Sequence, residues 1–560
     1  MRSASRKWLT TALLATVIVG ACSDDDGGSG PSTPDAPTNV VANATAATSV
    51  TVTWDAVPGA DNYVVQRVEG AAGGTFATVG SPVAATFTDN TVAGSTTYRY
   101  RVATVDGGDQ SSYSTEAPVT TPAAGPKVAT IDEDITADRT LYSDTTYTIS
   151  GFVHVTNGAT LTIQPGTLIL GDFDIVGSSL FILRGANILA DGGSAATPII
   201  FTSEQAPGSR QAGDWGGLLI VGNGIINRAD PIILEGTGTN AQNYEVNYAG
   251  GNDNTDGSGT LRYVRIEFAG YGPAADQELN GLTMAAVGSG TTIEYVEGLN
   301  GLDDSFEWFG GAVDAKYLVS YESGDDHFDM SEGYRGRLQY VIGFQSKVVN
   351  PRPGAGNVSA DPQGIENDGC NGANCTTGQA STPFTLPLVA NFTLVGPEDG
   401  IFTANNGGYG MVLRRGTAGY YVNGLVIRWE KAAYSLRDTS TANRIAADSL
   451  ILTNIVDAEV GAQFHAGQSG GTFDPGTYNL TASALAAAAT FAGLPANPSA
   501  GGDFNWALAG ASEANTGGLN PFTGDILTRA GAAVTATSYR GAVDPAGPQW
   551  YQGWTNYADN

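Results

Sequence analysis

Tyr263-Val264-Arg265-Ile266-Glu267, Tyr295-Val296-Glu297, Tyr317-Leu318-Val319-Ser320 and Tyr340-Val341-Ile342-Gly343 decide the fold. Each is a short run of aromatic and branched apolar residues, bounded by Gly, Asn or Asp. Tyr295 and Tyr317 are 22 residues apart, Tyr317 and Tyr340 are 23. A period in the low twenties without helical periodicity is that of a solenoid whose coils are built of short strands. One such coil cannot bury its inner face alone. Stacked at about 4.8 Å, coils cover one another and like residues pile over like, so the four tyrosines are expected to form a ladder. Gly158-Ala159-Thr160-Leu161-Thr162-Ile163-Gln164-Pro165-Gly166 reads as an earlier unit of the same kind. Residues 131–560 are therefore read as one parallel β-helix domain. Its open end needs a cap, and Ser538–Val543 with Trp550–Tyr557 are expected to supply a closing strand and an aromatic plug.

Toward the N-terminus, Thr120-Thr121-Pro122-Ala123-Ala124-Gly125-Pro126 has the composition of a linker, and residues 122–130 are assigned to it. Residues 36–121 differ in kind. Ser49-Val50-Thr51-Val52-Thr53-Trp54, Tyr63-Val64-Val65-Gln66-Arg67 and Thr97-Tyr98-Arg99-Tyr100-Arg101-Val102 alternate with period two, as strands buried on one face do. A segment of this size with no Cys pair suits a seven-strand sandwich. Pro37, Trp54, Tyr63 and the Tyr98–Val102 run resemble a fibronectin type III module, which implies core and corner roles for Trp54 and Tyr98 and a spacer or adhesive unit. The whole chain is thus expected to be all-β: a fibronectin-like sandwich followed by a solenoid.

The first residues read as an address. Arg2, Arg6 and Lys7 precede an apolar run from Trp8 to Val19, a pattern that suits an export signal over residues 1–21 and is too short to span a bilayer as a helix. Val19-Gly20-Ala21-Cys22 resembles a bacterial lipobox, which implies lipidation at Cys22. Residues 22–35, opening Ser23-Asp24-Asp25-Asp26-Gly27-Gly28, form a flexible polar tether. The protein is expected to be exported and held by its lipid at the outer membrane and cell surface of a bacterium.

Composition narrows the chemistry. The 560 residues carry 26 Lys+Arg against 56 Asp+Glu, a net charge of −30. That balance argues against nucleic acid or an anionic bilayer engaged through a basic face. It favours cations or a cationic partner. Three Cys exclude a disulfide framework. Cys370 and Cys375, with four residues between them, suit a local disulfide in an oxidising compartment and are too few for a zinc site.

The densest acidic feature spans two coils. Asp303-Asp304-Ser305-Phe306-Glu307 and Asp325-Asp326-His327-Phe328-Asp329 align at an offset of 22. Stacked in that register, Asp303 lies over Asp325, Asp304 over Asp326 and Glu307 over Asp329. Six carboxylates on two rungs repel unless some are protonated or a cation bridges them. A hard divalent ion with oxygen ligands, Ca²⁺, resolves the repulsion. The plainer reading is a corner whose Asp residues bond turn amides. Asn252, Asn254 and Asp256, at alternating positions before Gly257, form a weaker candidate, because Tyr263 stands where a calcium loop closes with Glu. Gly364-Ile365-Glu366-Asn367-Asp368-Gly369 is read as part of a long excursion able to fold back over the acidic coils. His154, on an alternating strand, is read as a surface residue. Trp215, Trp308, Trp429, Trp550 and Trp554 are assigned to the interior and the cap, with a sugar platform as the alternative.

Gly213-Asp214-Trp215-Gly216-Gly217-Leu218, the Asp303–Gly311 stretch and Gly553-Trp554-Thr555-Asn556 resemble a group of bacterial surface lipoproteins with a pectin-lyase-like, right-handed β-helix. The resemblance implies that fold and a surface location, with no settled activity. Hydrolases of the same fold place paired Asp on one coil and a His about a coil later, a layout that Asp303, Asp304, Asp326 and His327 mimic. Their Gly-His-Gly and Arg-Ile-Lys elements are missing here. Lyases of the fold need a basic residue near Ca²⁺, for which Arg335 and Arg337 are the nearest in sequence. The favoured expectation is a lipid-anchored binding or assembly protein: adhesion, a surface layer or filament, or capture of a polymer or nutrient. Its partners are a polysaccharide, a surface protein or further copies of itself. A polysaccharide lyase or glycoside hydrolase acting on an acidic polymer is the alternative.

Overall fold

The computed structural model describes residues 33–123 and 127–558, apart from 275–276, 360, 398–399, 403–406, 466–470, 487–489 and 494–503. Cys22, with the whole export signal and most of the tether, lies outside the described residues. The chain divides into two compact units between residues 125 and 126.

The first unit is a β-sandwich. Val41–Ala46, Ser49–Thr53 and Thr86–Asp89 form one antiparallel sheet; Asn62–Glu69, Ala77–Gly80, Thr97–Asp106, Asp109–Gln110 and Ala117–Thr120 form the other. The eighth strand segment, beyond the seven expected, is the two-residue turn-back Asp109–Gln110. Alternate residues point inward as the period-two runs require: Val50, Val52, Val65, Tyr100 and Val102 are fully buried. Trp54 meets Tyr63 edge-on at 5.1 Å. The Tyr98 hydroxyl accepts a bond from the Ala93 amide at 2.9 Å, the corner role assigned to it.

The second unit is a parallel β-helix. Among the described residues nine strands, from Phe152–Val155 through Phe306–Phe309, Phe328–Ser331, Gln363–Asp368 and Tyr409–Arg414 to Ala432–Leu436, make one parallel sheet; seventeen others form a long parallel sheet around the remaining sides, and two short antiparallel pairs stand apart from both. Lys127–Ile131, assigned to the linker from composition, instead pairs in parallel with Thr145–Ile149 as a strand of this body. The register around the tyrosines is the expected one: Val264 pairs Val296, Val296 pairs Leu318 and Leu318 pairs Val341. Tyr263, Tyr295, Tyr317 and Tyr340 stack with ring centroids 4.4, 4.3 and 5.1 Å apart.

Each of these tyrosines sits in the left-handed region, with φ between 51° and 62°. Each makes a corner midway along its own strand. The same corner is held by Asn391, Asn423 and Asn454 in later coils, also left-handed. Trp215, Trp308 and Trp429 are buried in the solenoid interior, which removes them from any sugar platform.

Two expectations are corrected. Ser538–Val543 forms no strand, and the C-terminal residues do not plug an end. They run along the flank: the Gly541 amide donates to the Asn423 carbonyl, and Trp554 packs on Tyr263 and Tyr295. The reason is apolar area, since Phe268, Leu299, Tyr321 and Phe344 face outward there and are covered by Phe504, Trp506, Tyr551 and Tyr557. His154 is buried rather than exposed, between the rings of Phe181 (4.7 Å) and Tyr244 (4.2 Å), with Nδ1 bonded to Asp134. Its strand alternates as read, but the excursion after Val221 folds back and covers that outer face.

Candidate functional site

The nine-stranded sheet carries the acidic residues on its outer side. Phe306, Trp308, Phe328 and Met330 point inward to the core, so the residues between them must point out. Glu307 pairs with Asp329, and Asp329 pairs with Glu366 on the next rung. The coils thus set three carboxylates in one column. At the corner before the column, side chains hold successive rungs together. The Asp304 amide donates to Asn280 Oδ1 (3.1 Å), the Asp326 amide to Asp304 Oδ1 (2.7 Å), the Gln363 amide to Asp326 Oδ1 (2.6 Å) and the Tyr409 amide to Gln363 Oε1 (3.0 Å). Asp304 and Asp326 therefore do serve as turn-binding corner residues. They also line the cavity beside the column.

That cavity has a volume of about 1010 Å³. Its floor is the outer sheet face. Its walls are loops: Glu235 and Tyr248 from the excursion after Val221, Glu278 from the hairpin at Tyr271–Ala274 and Gln277–Leu279, and Ser359 and Asp361 from the connection before Gln363. Among the described residues, twelve carboxylates and three guanidiniums, Arg228, Arg414 and Arg415, line it. Gly364–Gly369 is no returning loop. It belongs to the next rung of the sheet, displaced in sequence because the intervening connection is long.

The carboxylates fall into three overlapping groups whose ligand oxygens all lie within 4.8 Å of one another: Asp303, Asp304 and Asp325; Asp304, Glu307 and Asp329; Asp326, Asp329 and Glu366. Asp304 and Asp329 are each shared by two groups. Burial, the largest cause, raises Asp303, Asp304, Glu307, Asp326, Asp329 and Glu366 well above the ordinary carboxylate range, and neighbouring carboxylates add to it. Burial pushes Asp325 up to about 7. Glu235, buried and facing Glu278, is pushed up to about 8 and shares a hydrogen bond with Glu307.

The guanidiniums are unevenly placed. Arg414 pairs with Glu366 and with Asp368 (2.9 Å), Arg415 pairs with Asp368, and Arg228 pairs with Glu332, which also accepts from the Tyr248 hydroxyl at 2.6 Å. None of them pairs with Asp303, Asp304 or Glu307 among the described residues. Oδ1 of Asp325 and of Asp329 are shut off from solvent with no hydrogen-bond partner among the described residues. A set made only of carboxylate oxygens, crowded and partly unsatisfied, fits a hard divalent cation such as Ca²⁺ and offers no soft ligand.

His327 does not join this set. It stands in the bend just before Phe328–Ser331, outside the strand's alternation, and its ring points into the solenoid, where Nδ1 contacts the Ser320 hydroxyl at 2.6 Å and the ring packs by Gly343 and Trp429. Burial lowers it to about 3, leaving a neutral imidazole. The hydrolase-like layout of Asp303, Asp304, Asp326 and His327 is thus split across the two faces of the sheet. Arg337 pairs with Asp314 on another sheet at 2.5 Å, and neither it nor Arg335 lines the cavity. Asn252, Asn254 and Asp256 spend their oxygens on the Asn223–Ile225 segment: Asp256 accepts from the Asn223 amide (3.0 Å) and Asn254 from the Ile225 amide (2.8 Å). They form a turn apart from the acidic cavity.

Cys370 and Cys375 are bonded to each other. The loop they close binds the 228–231 segment, with the Ala229 amide donating to the Asn374 carbonyl at 2.9 Å and Asn374 Nδ2 donating to the Pro231 carbonyl at 3.0 Å. Glu235, Glu278, Glu332, Asp361 and the three arginines were not singled out in the sequence. They come from loops of unequal length, which no period exposes. Asp329 to Glu366 spans 37 residues where the neighbouring rung spans 22.

The architecture, a parallel β-helix with an acidic cavity on one sheet, defines the class of protein. Residues 133–503 match the family model described as "Pectate-lyase like beta helix domain". The chain belongs to that family. Solved structures similar to it align with the sandwich. They include a fibronectin type III-like protein from Clostridium thermocellum (33% identity, 16% of this chain and 96% of that one, TM-score 0.15) and the fourth fibronectin type III domain of a human protein (26%, 18% and 90%, TM-score 0.17). Titin kinase with its flanking domains is similar at 25% identity over 16% of this chain and 17% of that chain (TM-score 0.15). No curated protein matches. Among the described residues no helix is long and apolar enough to cross a membrane.

Proposed function

We propose that this chain is an exported, lipid-anchored surface protein whose β-helix binds divalent cations, Ca²⁺ foremost, in the acidic cavity. Through that cation-loaded face it binds a partner at the cell surface. The observation that carries the reading is the meeting of three carboxylate triads, linked by Asp304 and Asp329, with buried oxygens left unpartnered. A bound cation satisfies those oxygens and relieves the mutual repulsion of the rungs, so binding adds directly to folding stability. Membership of the pectate-lyase-like β-helix family supports an acidic polysaccharide as the partner, because a cation held by protein carboxylates keeps open positions for a sugar carboxylate or hydroxyl. A surface protein or another copy of the chain fits the same cation-dependent scheme.

Thermal unfolding of the full chain in Ca²⁺ and in chelator tests the cation reading. Ca²⁺ is expected to raise Tm by several degrees, and Asp304→Asn to remove most of that gain; identical Tm values in both conditions would refute it.

A lyase is the second reading, favoured by Arg414 and Arg415 beside the acidic groups. Against it, Glu366 and Asp368 hold Arg414 firmly cationic, which unfits it as a proton acceptor. Release of unsaturated sugar ends from a uronate polymer, abolished in Asp304→Asn, would establish that reading over binding alone.

A further inference from the structure

We infer that Arg414 is a built-in counter-cation that fills the third place of the acidic row, so that the cavity holds two divalent cations and not three. The inference rests on the cation reading above and sharpens it. The three triads are not equivalent. The first two, Asp303/Asp304/Asp325 and Asp304/Glu307/Asp329, contain the carboxylates that no guanidinium bonds among the described residues. They hold both of the oxygens that are buried without a partner, Asp325 Oδ1 and Asp329 Oδ1, whereas the third triad holds only the latter, through the shared Asp329.

The third triad, Asp326/Asp329/Glu366, has its cation already. Arg414 stands one rung beyond, where it pairs across the ladder with Asp368, and its guanidinium reaches back to bond Glu366 and Asp368 together. Arg415 takes the other oxygen of Asp368. Asp326 spends Oδ1 on the Gln363 amide. A divalent ion in the third triad must therefore share Glu366 with a fixed positive charge, and at that separation the repulsion outweighs what the remaining oxygens return. The guanidinium cannot be titrated away at any ordinary pH. It ends the row and confines exchangeable ions to the first two triads, where Asp304 bridges them.

Equilibrium dialysis of the full chain against Ca²⁺ measures the number bound. Wild type is expected to bind two, Arg414→Gln three, and Arg414→Lys two. Should Arg414→Gln fail to fold, lanthanide density in a soaked crystal of the wild type decides: it is expected at the first two triads, with none between Asp326, Asp329 and Glu366. Three ions in wild type, no extra ion in folded Arg414→Gln, or density in the third triad of the wild type would each overturn the assignment of Arg414 while leaving cation binding intact. No binding by any of the proteins would overturn the cation reading itself, and this inference with it.

Discussion

Asp325 and Glu235 show how burial turns ordinary carboxylates into a conditional feature of the fold. Both are raised, to about 7 and about 8, with desolvation the first cause and facing acids such as Asp361 and Glu278 adding to it. In the unfolded chain they ionise near their usual values of about 4. Between those limits the folded protein holds more protons than the unfolded one, so stability is full below about pH 4 and falls as pH rises toward 8. In chelator, Tm measured by calorimetry is therefore expected to drop between pH 5 and pH 8. With saturating Ca²⁺ the drop is expected to shrink, since the ion replaces the protons; equal slopes in both conditions would contradict the argument. The six acids of the two aligned rungs were legible in sequence because their spacing is regular. The inward turn of His327 was not legible: alternation counted back from the inward Phe328 would turn it outward, and the bend that frees it from that alternation is not marked by any spacing.

At the scale of elements, the tyrosine ladder explains both the register and its cost. A bulky residue in the left-handed region is strained by roughly 1–2 kcal/mol, yet Tyr263, Tyr295, Tyr317 and Tyr340 all adopt it. Stacking, on two neighbours for Tyr295 and Tyr317 and on one for Tyr263 and Tyr340, offsets the strain, with Trp554 edge-on to Tyr263 and Tyr295. Asn tolerates the same backbone better, as Asn391, Asn423 and Asn454 do at the equivalent corner, but it cannot stack. Tyr295→Asn is thus expected to destabilise by about 1–2 kcal/mol, whereas Tyr295→Phe stays near wild type; denaturant unfolding of the two variants checks the contrast. This element was readable because its repeats are nearly equal in length. The C-terminal cover was not, since aromatic residues near a chain end suit a plug and a flank equally until the outward apolar stripe of Phe268, Leu299, Tyr321 and Phe344 is seen.

For the whole molecule, the order along the sequence is a proposed anchor, a sandwich and then the β-helix that carries the acidic cavity. The chain's net charge of −30 favours cations over anions at its surface. If Cys22 bears the anchor, Cys22→Ser expressed in a bacterial host is expected to leave the membrane fraction, as read by fractionation; unchanged membrane retention would argue for another attachment. The all-β fold class was readable from the two periods, and the two-unit order from the change of period across a Pro/Gly/Ala-rich stretch. The cavity's walls were not, because Glu235, Glu278 and Asp361 reach it from loops whose lengths follow no repeat.

The central claim is that stacked coils bring acids from successive rungs close enough to hold a cation together. Anomalous diffraction from a crystal of the full chain soaked in a lanthanide that replaces Ca²⁺ tests it most directly. The expected result is density in the cavity at about 2.3–2.6 Å from carboxylate oxygens of Asp304 and its neighbours Asp303, Asp325, Glu307 and Asp329. Ions bound only elsewhere on the acidic surface, with the cavity empty at saturating concentration, would contradict it.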